Sequence, residues 1–143
     1  MQLVVLGLNH KTVPVDIREQ FAISPDSARS GLIHLDEQEG IEEAVVLSTC
    51  NRTEIYAVLK DETAKETLYD FFLALSGNSE AKDEYFFYFE GEACIRHLFE
   101  VVSGLDSMVI GESQILNQIK TAYTMALEEK ATRTILNTLF HRA

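Results

Sequence analysis

Cysteine is scarce in this chain, cations are outnumbered, and no long apolar run occurs; each shortage removes a class of protein. Two cysteines, Cys50 and Cys94, in 143 residues are too few for a disulfide framework, so each is either packed or chemically used. Lys and Arg number 12 against 23 Asp and Glu, a net charge of −11. That balance repels a phosphate backbone at long range, so a polynucleotide substrate needs local basic contacts or another domain. No stretch approaches the ~20 continuous apolar residues that span a bilayer, and no membrane association is expected. The apolar start, residues 1–8, lacks a basic leader and a small-residue cleavage site, so it reads as a first strand and the chain as a soluble, cytoplasmic one with reduced thiols. There is no internal repeat, no low-complexity tract and no dinucleotide-binding fingerprint, since Gly104 and Gly111 stand seven apart.

What is present patterns as alternating strands and helices. Residues 2–9, a Leu and Val run closed by a polar residue, suit a buried strand. After a loop over 10–16 and a short helical turn, Ser24-Pro25-Asp26 supplies an N-cap, a first-turn proline and an early acid, which predicts a helix to about Gln38. Gly40 ends it, and residues 43–49 form a second strand that delivers Cys50 at its carboxyl end. Residues 53–59 give a third strand, with Cys50-Asn51-Arg52 in the tight connection. The spacing of Ala64, Leu68, Phe71, Phe72 and Leu75 predicts a helix over 63–76 stopped by Gly77, and residues 85–89 an aromatic strand. This β-α-β-β-α-β order predicts an α+β fold, a ferredoxin-like antiparallel sheet over residues 1–90. Additional helices follow in residues 91–143: 92–102, then 112–129 after a loop-like break at 103–111, then 134–141. The acidic patch 36–43 reads as a solvated helix end, and the chain stops within an element, as a truncated protein would.

The stretch Ser48-Thr49-Cys50-Asn51-Arg52-Thr53-Glu54 sets a thiol among hydroxyls, an amide and a guanidinium at the end of an apolar strand. An ordinary thiol is only a few per cent ionised at neutral pH yet is intrinsically nucleophilic, and nearby positive charge raises its reactive fraction. Arg52 supplies such a charge, or grips a carboxylate with its planar fork. The competing reading is a packed cysteine.

Three blocks resemble one family. Thr49-Cys50-Asn51-Arg52-Thr53-Glu54 looks like the signature of glutamyl-tRNA reductases. Gly7-Leu8-Asn9-His10-Lys11-Thr12-Val13-Pro14-Val15 with Ile17-Arg18-Glu19 resembles the family's opening strand and loop. His97-Leu98-Phe99, then the run from Ser103 to Leu116 through Ser107, Gly111, Glu112, Ser113 and Gln114, follows its longest motif. The resemblance is weakest between 59 and 90, and Ser113 stands where many members carry proline.

The resemblance implies that the thiolate of Cys50 attacks the ester of glutamyl-tRNA, leaving a thioester that hydride from NADPH reduces to glutamate-1-semialdehyde, the first step of tetrapyrrole (porphyrin and haem) biosynthesis by the C5 route. It implies a catalytic His97 acting on a proton or polarising the carbonyl. It also implies substrate contacts at Thr49, Asn51, Arg52, Ser107, Glu112, Ser113, Gln114 and Gln118, with Arg52 on the substrate carboxylate. The family's NADPH-binding and dimerisation domains are absent, so no cofactor is expected on this fragment, and a monomer is expected although full-length members are dimers. A hand-over of the semialdehyde to a downstream aminomutase also follows from the resemblance.

Other readings compete. A helix-satisfied His97 is the alternative for that residue. Cys94 and His97, three apart, resemble half a metal site, but no paired motif completes it and no metal is expected. For the whole chain, the alternative is a non-catalytic ferredoxin-like module that binds tRNA or a protein.

Overall fold

The structure, a computed structural model, describes residues 1–78, 83–103 and 114–143. Strands β1 (Gln2–Asn9), β2 (Ile41–Ser48), β3 (Arg52–Leu59) and β4 (Phe87–Glu90) form one sheet in the order β2-β3-β1-β4, every neighbour antiparallel. The fold is α+β with this ferredoxin-like strand order. Helices α1 (Val15–Gln20) and α2 (Pro25–Ile33) connect β1 to β2, and α3 (Lys65–Ser76) connects β3 to β4. Helices α4 (Glu92–Val102), α5 (Gln114–Glu128) and α6 (Thr134–Arg142) follow.

Period-two alternation sorts the strands' side chains onto two faces. The register pairs Asn9 with Arg52, Gly7 with Glu54 and Val5 with Tyr56, and Gly7 with Phe87, which puts all of these on one face. Against that face pack α4 and α6: His97 of α4 reaches Glu54, and the Phe140 ring of α6 meets Tyr56 edge-on at 5.5 Å. Phe86, just before β4, gathers Phe21, Tyr69 and Phe72 at centroid distances of 5.6, 5.1 and 5.3 Å, tying α3 to the segment before α2. Such edge-to-face pairs add about 0.5–1.5 kcal/mol each beyond the area they bury.

Helix α5 lies along β2, where Ala44 N–H donates to the carbonyl of Ala131 at 2.9 Å. That contact, with α5 beside it, occupies an edge that would otherwise be open to a foreign strand. Arg29 of α2 binds Glu128 and Glu129 at 3.1 and 2.6 Å, but with Arg29 43% exposed solvent screens these pairs and they contribute little. The apolar packing of α5 holds it in place.

The structure redraws several expected elements. The helix expected over 24–38 ends at Ile33 and gives way to a 3₁₀ turn, Leu35–Glu37. The tighter winding brings Leu35 into the core at 4% exposed while Ile33 stays 54% exposed. The aromatic strand starts later, at Phe87, after another 3₁₀ turn at Asp83–Tyr85. The stripe on α5 is narrower than its sequence suggests, for Leu116 and Leu127 are exposed. Most of the expected break at 103–111 lies outside the described residues.

The acidic patch is not uniformly solvated. Glu43 is 3% exposed, and its carboxylate accepts the N–H groups of Arg133 at 2.6 Å and Leu136 at 3.0 Å. It therefore caps the amino end of α6 from strand β2, satisfying two donors that a helix start leaves open and meeting the positive end of the helix dipole. A carboxylate buried here without those donors would be costly. Glu43→Ala is expected to lower stability by about 1.5–3 kcal/mol, and Glu43→Gln, which keeps an acceptor oxygen, by less. Urea midpoints at unchanged m-value would show the ranking.

Candidate active site

Thr49, Cys50 and Asn51 make the turn between β2 and β3. Thr49 N–H donates to the Arg52 carbonyl at 2.7 Å, closing the hairpin, and Asn51 N–H donates to Thr49 Oγ1 at 3.1 Å, the local hydroxyl-to-backbone bond that favours threonine in turns. The turn is also held from outside. His10 N–H donates to the Asn51 carbonyl at 3.1 Å. Arg18 of α1, 8% exposed, donates through Nε to the Cys50 carbonyl at 3.3 Å and through Nη1 to the Val13 carbonyl at 2.9 Å. Behind the turn, Ser48 Oγ accepts the Ile23 N–H at 3.0 Å and lies 3.3 Å from Thr53 Oγ1. The backbone of Cys50 is thus clamped, while Cys50 itself is exposed and free of any disulfide.

Directly beyond the turn, Arg52, Glu54 and Tyr56 alternate onto one buried face of β3. Glu54, 0% exposed, accepts from Arg52 Nη1 at 3.1 Å and Tyr56 Oη at 2.8 Å, and its Oε2 lies 2.7 Å from His97 Nε2. With Glu54 as acceptor, Nε2 is the donor, and Nδ1 is the nitrogen left to exchange a proton with a substrate. Burial first, then the charge and hydrogen bond of Glu54, pushes the Tyr56 phenol well above its ordinary range, so it stays a donor. His97 is 6% exposed and boxed by Phe87, Phe89 and Tyr56 at 4.9, 5.3 and 6.4 Å. Gly7 makes the room: a Cβ there would sit 2.7 Å from the Thr53 carbonyl oxygen, 2.8 Å from Glu54 Cγ and 2.9 Å from Phe87 Cζ.

Cavities flank this end of the sheet on either side. One of about 280 Å³ between α2, β2 and α5 is lined by Ile23, Val46, Ser48, Gln118 and Met125 among others. The other, about 330 Å³, lies between the β1–α1 loop, β4 and α4 and includes Asn9, Lys11, Phe87, Phe89, Arg96 and His97 in its lining.

The expected site residues distribute as follows. Thr49, Cys50, Asn51 and Arg52 are contiguous at the hairpin, His97 joins them through Glu54, and Gln118 lines the first cavity beside Ser48. Ser107, Glu112 and Ser113 lie outside the described residues, and Gln114 is described only as the start of α5. The Arg52 side chain has no exposed surface and its Nη1 faces Glu54, so in this structure the guanidinium is an internal partner rather than an open grip. Cys94 is sealed at 0% exposed. Burial, with the charge of Glu54 second, raises its thiol to about 12, and among the described residues no group of three His, Cys, Asp or Glu could hold a metal ion.

Glu54, Tyr56, Arg18 and Gly7 are functional neighbours to which spacing alone assigns no role. The trace of Glu54 in the sequence is an acid in step with Arg52 and Tyr56 within a strand-forming run.

The model of the family described as "Glutamyl-tRNAGlu reductase, N-terminal domain" matches residues 6–143. The chain belongs to this glutamyl-tRNA reductase family. Glutamyl-tRNA reductases of Rubrobacter xylanophilus and an Exiguobacterium species are 46% and 48% identical over all of this chain, which covers 34% and 32% of them. The solved glutamyl-tRNA reductase from Methanopyrus kandleri superposes with a TM-score of 0.78 at 31% identity, over 98% of this chain and 32% of that one. The chain spans about a third of the length of the glutamyl-tRNA reductases it matches.

Iodoacetamide is expected to label Cys50 alone in the native protein at pH 8, and both thiols in denaturant, read by peptide mass spectrometry. Because the folded Cys94 thiol is raised from 9 to about 12, the unfolded chain ionises first as pH rises through that window. Stability present below pH 9 is therefore lost toward pH 12, and a Cys94→Ala variant should show a shallower decline. Glu54→Ala, which removes the buried acceptor shared by Arg52, Tyr56 and His97, is expected to cost about 3–5 kcal/mol, seen as a drop in the urea midpoint.

Proposed function

We propose that this chain is the thioester-forming part of an NADPH-dependent glutamyl-tRNA reductase, with Cys50 as the nucleophile. The observation that carries the reading is an exposed thiol on a hairpin turn whose backbone is fixed from both sides, by Arg18 and by the N–H of His10. Fixing the backbone while leaving sulfur accessible lowers the entropy lost in reaching an attack geometry.

In the proposed step the Cys50 thiolate attacks the ester carbonyl carbon of glutamyl-tRNA. The carbon–sulfur bond forms, the bond from carbon to the ribose oxygen breaks, and that oxygen takes a proton and departs with the tRNA. His97 is our assignment for the group that carries this proton, taking it from the Cys50 thiol at Nδ1 and giving it to that oxygen, its ring oriented by Glu54. Thr49, Asn51, Arg52 and Gln118, with Ser107, Glu112, Ser113 and Gln114, are the proposed contacts to the glutamyl group. For Arg52 to take the substrate carboxylate, its guanidinium must present a face beyond the one engaged by Glu54.

Reduction of the thioester to glutamate-1-semialdehyde requires a hydride, which NADPH supplies when bound. The described residues do not fit that cofactor. The sheet is antiparallel throughout, whereas dinucleotides sit at a glycine-rich turn from a parallel strand into a helix. The thioester is thus the last species for which this chain's own residues account. We assign reduction, dimerisation and delivery of the semialdehyde to an aminomutase to the remainder of a full-length reductase.

Mixing the chain with glutamyl-tRNA is expected to leave a glutamyl adduct on Cys50 that mass spectrometry detects, with Cys50→Ser as the blank. NADPH should yield no semialdehyde from this chain alone. Binding of glutamyl-tRNA with no adduct and no ester cleavage would instead identify a non-catalytic binding module.

A further inference from the structure

We propose that Arg18 is a positioning residue for the acylation of Cys50: its guanidinium holds the Cys50 carbonyl and places an unneutralised positive charge at the turn where negative charge gathers during attack. The role rests on the thioester reading and adds to it a source of electrostatic help.

Helix α1 turns Arg18 inward. Pro14, in an extended conformation, precedes the helix, and Arg18 and Phe21, three residues apart, fall on the same side of it. Phe21 has no exposed surface and Arg18 has 8%. Asp16 and Glu19 on the same helix are exposed, and neither bonds to Arg18. Its side-chain bonds among the described residues go to two carbonyl oxygens, that of Cys50 at 3.3 Å and that of Val13 at 2.9 Å. The buried guanidinium of Arg52 differs, for it has the Glu54 carboxylate at 3.1 Å. Arg18 is thus a cation more than nine-tenths buried, bonded to the nucleophile's own backbone and matched by no carboxylate among the described residues.

Carbonyl dipoles compensate a buried cation only in part, and a neutral amide donor would satisfy the same oxygens at a smaller desolvation cost. The charge that remains acts on whatever anion forms beside it, and water-poor surroundings strengthen the effect. In the proposed step the negative charge starts on the Cys50 sulfur and passes to the oxygen of the attacked carbonyl as the carbon–sulfur bond forms. Both atoms stand at the turn that Arg18 holds. The planar fork matters alongside the charge. Together with the His10 N–H on the Asn51 carbonyl at 3.1 Å, it pins two successive carbonyls of the turn to the β1–α1 segment. A lysine ammonium keeps the charge without the fork, whereas glutamine keeps a donor without the charge.

Two alkylating agents separate charge from packing. Iodoacetate is an anion and iodoacetamide is neutral, and both consume the same thiolate, so the ratio of their rate constants cancels the ionised fraction and reads the local potential at the sulfur. In a chain with a net charge of −11 the long-range field alone sets this ratio below that of N-acetylcysteinamide, a neutral free thiol. The ratio for Cys50 is expected to lie above that reference and to fall by about three-fold or more in Arg18→Gln, while Arg18→Lys keeps it. A wild-type ratio not above the reference, or one that Arg18→Gln leaves unmoved, overturns the proposal. Should Arg18→Gln fail to fold, the wild-type ratio against the reference decides. In single-turnover acylation by glutamyl-tRNA, Arg18→Gln is expected to lower the maximal rate by about ten-fold or more at an unchanged half-saturating concentration, and Arg18→Lys by less. A raised half-saturating concentration at an unchanged rate makes Arg18 a substrate contact and overturns the positioning role. A wild-type chain that is never acylated overturns the thioester reading, and the alkylation ratio then decides the charge at the turn by itself.

Discussion

A carboxylate with no solvent contact organises this end of the molecule. Glu54 would be prohibitively costly inside the sheet by itself, and its neighbours are arranged around that constraint: the Arg52 cation, the Tyr56 hydroxyl and the His97 imidazole converge on it. The glycine opposite is part of the same solution, because any side chain at position 7 would occupy the space that Glu54 and Phe87 share. Removing one member of such a set exposes the others to the full desolvation cost, which makes the group cooperative.

Around that fixed centre the fold separates two tasks. Burial fixes His97 and Arg52, while hydrogen bonds to backbone carbonyls fix the turn that carries Cys50. A nucleophile needs its sulfur accessible, so its position has to be set through the main chain. The reverse holds for the imidazole, whose orientation comes from side-chain packing among Phe87, Phe89 and Tyr56. The two are linked through Glu54, which holds the imidazole by a hydrogen bond and lies four residues from Cys50 on one hairpin.

Elements with a clean pattern were legible in the sequence. Strand β1 and helix α4 occupy the residues their hydrophobic spacing predicts, because each meets the core with one uninterrupted apolar surface. The strand order followed from the alternation of elements. Cys50 stood out because its neighbours are polar at the end of an apolar strand. The long-range partners did not. Glu42 and Glu43 are adjacent acids, and which of them is buried depends on the irregular register between Ile41 and Glu43 and on a helix start 90 residues later. The contact between His97 and Glu54 spans 43 residues. Local spacing names the groups that carry chemistry, whereas the fold decides which of them faces water.

The contrast between the two sulfurs has a consequence for handling and for life in an oxidising cell. A disulfide rescues an oxidised thiol only if a second thiol can reach it, and here the second sulfur is sealed on the buried face of α4. Oxidation of Cys50 to a sulfenic acid would find no resolving partner within the described residues, leaving small external thiols to reverse it before further oxidation makes the damage permanent.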